Sequence, residues 1–193
     1  MNLPNKITIA RIALIPLFIA LYYLTCIPHN FLYATIVFAV AAFTDFLDGY
    51  LARKLHLVTD LGKFLDPIAD KVLVLTAMIL MLTNVGGGIL DATIGGIGVS
   101  IILARELIVS SFRMVAATKK VVIAADKLGK IKTVSQDIAL VLLLLSKAFV
   151  GNVFDIIWWV GYGLFIFSVI MTLISGVNYI WKNRVVFSNK VNA

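Results

Sequence analysis

Six apolar stretches, each about long enough to cross a lipid bilayer, are the feature that most limits what this chain can fold into. A helix needs about 20 mostly apolar residues to span the hydrocarbon core. The stretches cover residues 8–27, 31–51, 62–83, 94–117, 131–150 and 153–181. Turn-forming residues separate several of them, at 28–30, 86–88 and 151–152. The pattern predicts an all-α integral membrane protein: a six-transmembrane-helix bundle that forms a single domain over residues 1–193.

The composition argues against a soluble protein. Hydrophobic residues make up 61% of the chain and charged residues only 14%, with a mean hydropathy of +1.02. This leaves too little polar surface to cover a globule in water. The formal net charge is +7, but the basic residues cluster between apolar stretches. Anionic membrane lipids and phosphorylated substrates are therefore the expected partners, and nucleic acid is not.

Lysine and arginine are concentrated in alternate connections between the stretches. The basic connections and termini carry Lys6, Arg53, Lys54, Lys63, Lys119, Lys120, Lys127, Lys130, Lys132, Lys182, Arg184 and Lys190. The connections at 28–30 and 84–93 carry no lysine or arginine. Because basic loops stay in the cytoplasm, both termini are predicted to be cytoplasmic, and an even number of spans satisfies this.

Four aspartates stand near the cytoplasmic ends of two adjoining predicted helices. Asp45 and Asp48 lie three residues apart, and Asp66 and Asp70 lie four apart. Both spacings put a pair on one face of a helix. Carboxylates within apolar spans are costly, so they are functional candidates by default. If the two helices are antiparallel neighbours, both pairs lie at a similar depth and face a common centre.

Four converging carboxylates repel one another unless cations lie between them. Nearby basic side chains, Arg53 and Lys71, do not balance four acids, whereas two divalent cations do. Oxygen ligands without histidine or cysteine favour Mg²⁺, with Mn²⁺ as the alternative. A pair of such ions clamps a phosphoryl group, and Gly49, Ala52 and Arg53 would leave room and a forked donor for phosphate. The structural alternative is a set of interhelical salt bridges or helix caps.

The acidic segment also resembles a known family signature. It reads Asp45-x₂-Asp48-Gly49-x₂-Ala52-Arg53-x₈-Gly62-x₃-Asp66-x₃-Asp70. This resembles, without a departure, the signature of the CDP-alcohol phosphatidyltransferases. The resemblance implies six transmembrane helices around a cytoplasm-facing polar cavity, in a protein that is usually a homodimer. The implied location is the bacterial plasma membrane.

Other segments are similar to family members that use glycerol phosphate as acceptor. These segments are Asn2-Leu3-Pro4-Asn5-x₂-Thr8-x₂-Arg11, then Ala104-Arg105-Glu106 with Arg113, then Gly129-Lys130-x-Lys132-Thr133-x₂-Gln136. The implied reaction joins CDP-diacylglycerol and sn-glycerol 3-phosphate, giving phosphatidylglycerophosphate and CMP. The alternatives keep this chemistry with inositol phosphate, serine or phosphatidylglycerol as acceptor. A cation transporter is a further alternative, but it predicts acids spread across the membrane depth.

The resemblance also assigns roles to individual residues. It implies that Asp45, Asp48, Asp66 and Asp70 ligate two metal ions, and that Asp70 takes the proton from the acceptor hydroxyl. The residues implied to contact the CDP-diacylglycerol donor are Gly49, Ala52 and Arg53, with Asn5 and Thr8 as candidates beside the nucleotide. Thr8 and Arg11 share a helix face by their spacing, although simple snorkelling to the interface explains Arg11 equally well.

The phosphate of the acceptor needs an anion site of its own. The candidate residues are Arg105, Arg113, Lys130 and Lys132. For the lysines, the alternative is the ordinary positive charge of a cytoplasmic loop; for Arg105, it is a pair with Glu106 or with another helix. Gln136 and Asp137 fall at a similar depth and are interpreted as supporting or packing groups.

Overall fold

The computed structural model describes residues 3–54, 60–118 and 127–184, without the side chains of residues 3–6, 45–54, 60–67, 86, 117 and 127. The described residues form six α-helices and one short 3₁₀ turn, and they include no strand. The helices are α1 (Leu3–Tyr23), α2 (Asn30–Lys54), α3 (Asp60–Met81), α4 (Ile94–Thr118), α5 (Lys127–Ser146) and α6 (Asn152–Lys182). All six predicted helices are confirmed.

The boundary between α1 and α2 differs from the prediction. The apolar stretch continues to residue 27, but α1 ends at Tyr23 and the chain then forms turns. The Asn30 side-chain amide donates hydrogen bonds to the carbonyl oxygens of Leu21 and Tyr22, at 3.2 and 3.3 Å. Because the last carbonyls of a helix have no partner within it, this amide stabilises the end of α1 before the apolar stretch is finished.

The helices pack around an interior rich in aromatic and aliphatic side chains. α1 packs against α2 and α3, α5 packs most extensively against α6, and α4 packs mainly against α6. The rings of Phe18 and Phe38 are fully buried with their centroids 5.7 Å apart. Tyr22 is also buried, and its hydroxyl donates to the carbonyl oxygen of Leu80 at 2.8 Å. This bond ties α1 to the end of α3.

Two polar residues of α1 face the interior. Thr8 and Arg11 are both 0% exposed, so the predicted shared face of α1 points into the bundle. The alternative in which Arg11 reaches out to the interface is wrong, because its whole side chain is enclosed by protein. Burying a guanidinium is costly without compensating contacts, so this part of the bundle is polar inside.

The outer surface is strongly apolar. Ile36, Ile97, Leu107 and Trp159 are 51–65% exposed. Among the described residues, α4 over Ile94–Ala116 and α6 are long and apolar enough to cross a membrane, and shorter apolar helices cover Ile7–Tyr23 and Asn30–Thr44. Contiguous apolar surface of this kind is a liability in water and ordinary in lipid. An all-helical membrane protein is the class that fits.

Asp91 fixes the start of α4. Its Oδ2 accepts a hydrogen bond from the Ile94 backbone N–H at 2.5 Å, and its Oδ1 accepts from the Gly95 N–H at 3.2 Å. The Tyr162 hydroxyl of α6 also donates to Oδ1, at 3.0 Å. The carboxylate therefore satisfies free amides at a helix N-terminus and links two helices. The Ile94 N–H holds the pKa of Asp91 below its ordinary 3.8.

We expect Asp91→Ala to lower the melting temperature of the purified protein in detergent at neutral pH. Because the folded-state pKa is depressed, the stabilisation is present above the unfolded pKa and is lost as the pH falls through the folded pKa. The difference from the wild type should therefore shrink in acid below the ordinary 3.8. Tyr162→Phe removes one of the three hydrogen bonds and should lower the melting temperature less. Equal melting temperatures for Asp91→Ala and wild type at neutral pH would contradict this role.

Candidate active site

The predicted aspartates lie in two continuous helices. Asp45 and Asp48 belong to α2, and Asp66 and Asp70 belong to α3. The helical backbone supports the prediction that each pair shares a face. The side chains of Asp45, Asp48 and Asp66 lie outside the described residues, so their convergence stays a prediction. The same holds for the predicted donor contacts Asn5, Gly49, Ala52 and Arg53.

Asp70 lines a small polar cavity between three helices. The cavity measures about 40 Å³, which is room for a few water molecules at roughly 10–15 Å³ each. Its polar lining comes from α3, α4 and α5: Asp70, Lys71, Glu106, Lys132, Thr133, Gln136 and Asp137. The sequence predicted that cations of the fourth and fifth helices bind the acceptor's phosphate, and the structure adds α3 as a third wall of the cavity.

One carboxylate beside this cavity gathers three cations from three helices. The Lys132 ammonium and the Arg105 Nη1 both donate to the same oxygen, Glu106 Oε1, at 2.8 and 2.9 Å. The Lys71 ammonium lies 3.9 Å from Glu106 Oε2 and also contacts the Ser110 hydroxyl. We call Lys71, Arg105, Glu106 and Lys132 the Glu106 cluster. It joins α3, α4 and α5 by charge as well as by packing.

The Glu106 cluster is only partly open to the outside. Exposure of the side chains is 3% for Lys132, 14% for Arg105, 20% for Glu106 and 33% for Lys71. These are not the solvated surface pairs that contribute little to stability. Within the Glu106 cluster one negative charge faces three positive charges, and the carboxylates of Asp70 and Asp137 line the adjoining cavity. Three cations held this close together and partly out of water are suited to bind an anion.

Arg105 reaches the cluster through a gap between α5 and α6. Its Nη2 donates to the buried Ser175 hydroxyl at 3.3 Å. A Cβ built at Gly176 would lie 3.1 Å from Arg105 Cγ, and one built at Gly129 would lie 3.5 Å from Nη2. Because Gly129 and Gly176 have no side chain, there is room for the Arg105 guanidinium to pass between α5 and α6. The predicted pair between Arg105 and Glu106 is confirmed, and Ser175 adds a second helix.

Arg113 is held by a different set of contacts on the same helix. It lies eight residues beyond Arg105, about 12 Å along the axis of α4, and it is exposed. Its Nε donates to the Tyr179 hydroxyl at 3.1 Å, and its guanidinium lies 5.5 Å from that ring's centroid. Tyr179 is buried against Phe112, with ring centroids 5.9 Å apart. Lys130, the remaining predicted cation, is exposed on α5.

The structure thus brings two predicted acceptor residues, Arg105 and Lys132, to one point. Sequence reasoning missed Glu106 as the group that joins them and Lys71 as the third cation. The signal was present: Glu106 is an acid in the middle of the apolar stretch 94–117, and it follows Arg105 directly. The contacts from α6, through Ser175 and Tyr179, carried no comparable signal, because a serine and a tyrosine are ordinary in an apolar helix.

Comparisons with known proteins show which family the chain is similar to. The family model described as CDP-alcohol phosphatidyltransferase matches residues 1–175. A CDP-diacylglycerol–glycerol-3-phosphate 3-phosphatidyltransferase of Bacillus subtilis is 42% identical over 197 residues, covering 94% of this chain and 95% of the relative. Proteins of the same name from Rickettsia bellii and Shigella flexneri are 39% and 36% identical. Their alignments cover 92% and 95% of this chain, and 93% and 95% of the relatives.

Similarity of this extent is informative about the class of protein. The relatives share one transferase name, and they align along nearly the whole chain. The protein is therefore an enzyme, a transferase. With its acidic signature in α2 and α3 and a family match over residues 1–175, the chain belongs to the CDP-alcohol phosphatidyltransferase family.

Proposed function

We propose that this enzyme transfers the phosphatidyl group of CDP-diacylglycerol to sn-glycerol 3-phosphate, giving phosphatidylglycerophosphate and CMP. The relatives that carry the name of this reaction support the choice of acceptor. The single observation that carries it in the structure is the meeting of three cationic side chains from three helices in the Glu106 cluster beside Asp70. A phosphate monoester carries about −1.5 to −2 at neutral pH, which suits a site with several cations.

The donors in the Glu106 cluster also suit a phosphate group. Arg105 offers a planar fork of N–H groups, and Lys132 offers a compact ammonium. In the described part of the chain, the buried Arg105 Nε has no hydrogen-bond partner. A buried donor left in this state is costly, and a bound anion would relieve that cost. Serine has no phosphate to supply, which argues against it as acceptor, whereas inositol phosphate remains the second candidate because it is also a monoester.

The acceptor would lie at the cavity, which is too small to enclose it, with its phosphate at the Glu106 cluster and its hydroxyl towards Asp70. Asp70 is the residue we assign to accept the hydroxyl proton as the oxygen attacks the phosphorus that carries diacylglycerol. CMP leaves as the new ester bond forms. Closely spaced donors would hold the acceptor in one orientation, and this orientation raises the rate at which its hydroxyl attacks the donor.

We propose that Asp45, Asp48, Asp66 and Asp70 hold two divalent cations, Mg²⁺ or Mn²⁺. The donor chemistry at the cavity fits hard cations, because Asp70, Asp137 and the Gln136 carbonyl supply only oxygen. When bound, such ions neutralise the diphosphate and stabilise the leaving oxygen. Gly49, Ala52, Arg53, Asn5 and Thr8 are assigned to the CDP-diacylglycerol side of the site.

The proposed setting is a bacterial plasma membrane crossed six times. Both termini and the site would face the cytoplasm, where glycerol phosphate and CMP are dissolved while the donor's acyl chains stay in lipid. The alternating basic loops support this orientation. A homodimer is the proposed assembly, on the family resemblance.

An acceptor panel tests the proposed function. Purified protein with CDP-diacylglycerol and Mg²⁺ should release CMP with glycerol phosphate, and far less with inositol phosphate, serine or phosphatidylglycerol. A chelator should stop release, and added Mg²⁺ or Mn²⁺ should restore it. If CMP were released with inositol phosphate and with no other acceptor, inositol phosphate would replace glycerol phosphate as the assigned acceptor. Undiminished release after exhaustive chelation would reject the metal assignment.

A further inference from the structure

We propose that Glu106 is a positioning residue for the acceptor's phosphate. It would hold cations from three helices around one anion site before the acceptor arrives. The inference rests on the proposed function, because it deepens the assignment of the acceptor site. Glu106 itself would not need to touch the reacting atoms.

The first observation is that two cations share one carboxylate oxygen. Lys132 and Arg105 approach Glu106 Oε1 within 2.8 and 2.9 Å. Groups of like charge this close repel each other where water is scarce. An anion between them is needed to keep them together. Since Lys132 is nearly fully buried and comes from α5, its place next to Arg105 of α4 depends on that oxygen.

The second observation links this anion site to Asp70. The other carboxylate oxygen faces Lys71, which directly follows Asp70 in α3. Ser110 lies one turn after Glu106 on α4, and its hydroxyl contacts the same ammonium. Glu106 and Ser110 therefore hold Lys71 against α4, and this fixes the distance between Asp70 and the cations. A phosphate bound at one end would place a hydroxyl at the other end reproducibly.

The third observation is that Glu106 leaves donors free for a ligand. A lysine ammonium has three N–H groups and a guanidinium has five. Among the described residues, Glu106 takes one from Lys132 and one from Arg105, and Ser175 takes a second from Arg105. A phosphate can bind the remaining donors while the carboxylate stays in place. This favours a positioning role for Glu106, because the acceptor's phosphate can bind without displacing the carboxylate from the cations.

Two variants separate the placement of the carboxylate from its charge. Glu106→Asp keeps the charge but shortens the side chain by one methylene, so one oxygen no longer reaches both cations. Glu106→Gln removes the charge but keeps an oxygen at the Oε1 position. Asp155→Asn, on the exposed first turn of α6, is the control for loss of a carboxylate elsewhere.

The measurement is equilibrium dialysis of labelled glycerol phosphate against the full-length protein in detergent without donor. We expect Glu106→Asp to weaken binding about tenfold, since a displaced charge-assisted hydrogen bond is worth about a factor of ten. Glu106→Gln leaves the two cations without an anion between them and should weaken binding by about tenfold or more, and Asp155→Asn should match wild type. In turnover assays, the KM for the acceptor should rise in Glu106→Asp while the KM for CDP-diacylglycerol stays unchanged.

Wild-type binding by either Glu106→Asp or Glu106→Gln would overturn the proposal. If Glu106→Asp does not fold, Ser110→Ala serves instead: about threefold weaker binding supports the proposal and unchanged binding overturns it. A wild type that binds glycerol phosphate but releases no CMP would overturn the proposed function and leave the positioning role intact. A wild type that does not bind it would overturn the inference.

Discussion

Asp70→Asn should abolish CMP release, lowering the rate at least about a thousandfold, while the protein still folds. The substitution keeps the size of the side chain and removes its charge. Asp70 is partly buried in the wall of the cavity that also contains Lys132 and Gln136. An amide there neither accepts the acceptor's proton nor offers a cation an anionic ligand. The check is CMP release by purified enzyme at saturating substrates, with the melting temperature to confirm folding.

Asp137→Asn is the matched control, because Asp137 lines the same cavity from α5. Its proposed role is supportive, so we expect this variant to retain activity within about tenfold of wild type. Asp70→Asn with normal turnover would remove Asp70 from both of its assigned roles. An Asp137→Asn enzyme as inactive as Asp70→Asn would show that the base or ligand had been assigned to the wrong helix.

Lys132→Ala should raise the KM for glycerol phosphate about tenfold to a hundredfold, with little change in the KM for CDP-diacylglycerol. The ammonium is nearly fully buried and lies 2.8 Å from Glu106 Oε1. Its loss removes one of the three positive charges of the Glu106 cluster and, with it, a donor for the acceptor's phosphate. Initial rates over a range of each substrate measure the two constants separately.

Lys130→Ala is the comparison that isolates burial. Lys130 carries the same charge two residues earlier on α5, but it is exposed, and water and salt screen it. We expect the KM of Lys130→Ala for the acceptor to stay within about threefold of wild type. Equal effects of the two substitutions would mean that general positive charge, and not the Glu106 cluster, attracts the acceptor.

Hydrophobic patterning was sufficient to predict the helices, but not how they pack together. Runs of apolar residues and the breaks at Pro28 and Gly151 predicted six helices, and six helices are present. The packing of α4 on α6 in preference to α3 had no signal, since α4 and α6 are apolar on most of their surface. Helix ends also shifted where a side chain such as Asn30 supplied hydrogen bonds to the last turn.

Residues of the site could be predicted where a charged residue lies within or beside an apolar stretch. Asp70 was identified because ionised groups are costly in such segments, and Arg105 and Lys132 as cations for the acceptor's phosphate. The structure places Asp70 and Lys132 on neighbouring walls of one cavity, with Arg105 paired to Glu106 beside it. The joining role of Glu106 depends on which helices touch, which one-dimensional spacing does not contain. The separation of Arg113 from the Glu106 cluster by its contact with Tyr179 was hidden for the same reason.

The path that Arg105 takes past Gly176 has an evolutionary consequence. Adding a methyl group there would place carbon 3.1 Å from Arg105 Cγ, tighter than ordinary van der Waals separation, so the arginine would have to yield. In most transmembrane helices, exchanging glycine for alanine alters only how closely two backbones approach. Here the same exchange would move the Arg105 guanidinium. A substitution at Gly176 would therefore change substrate affinity before it lowered stability.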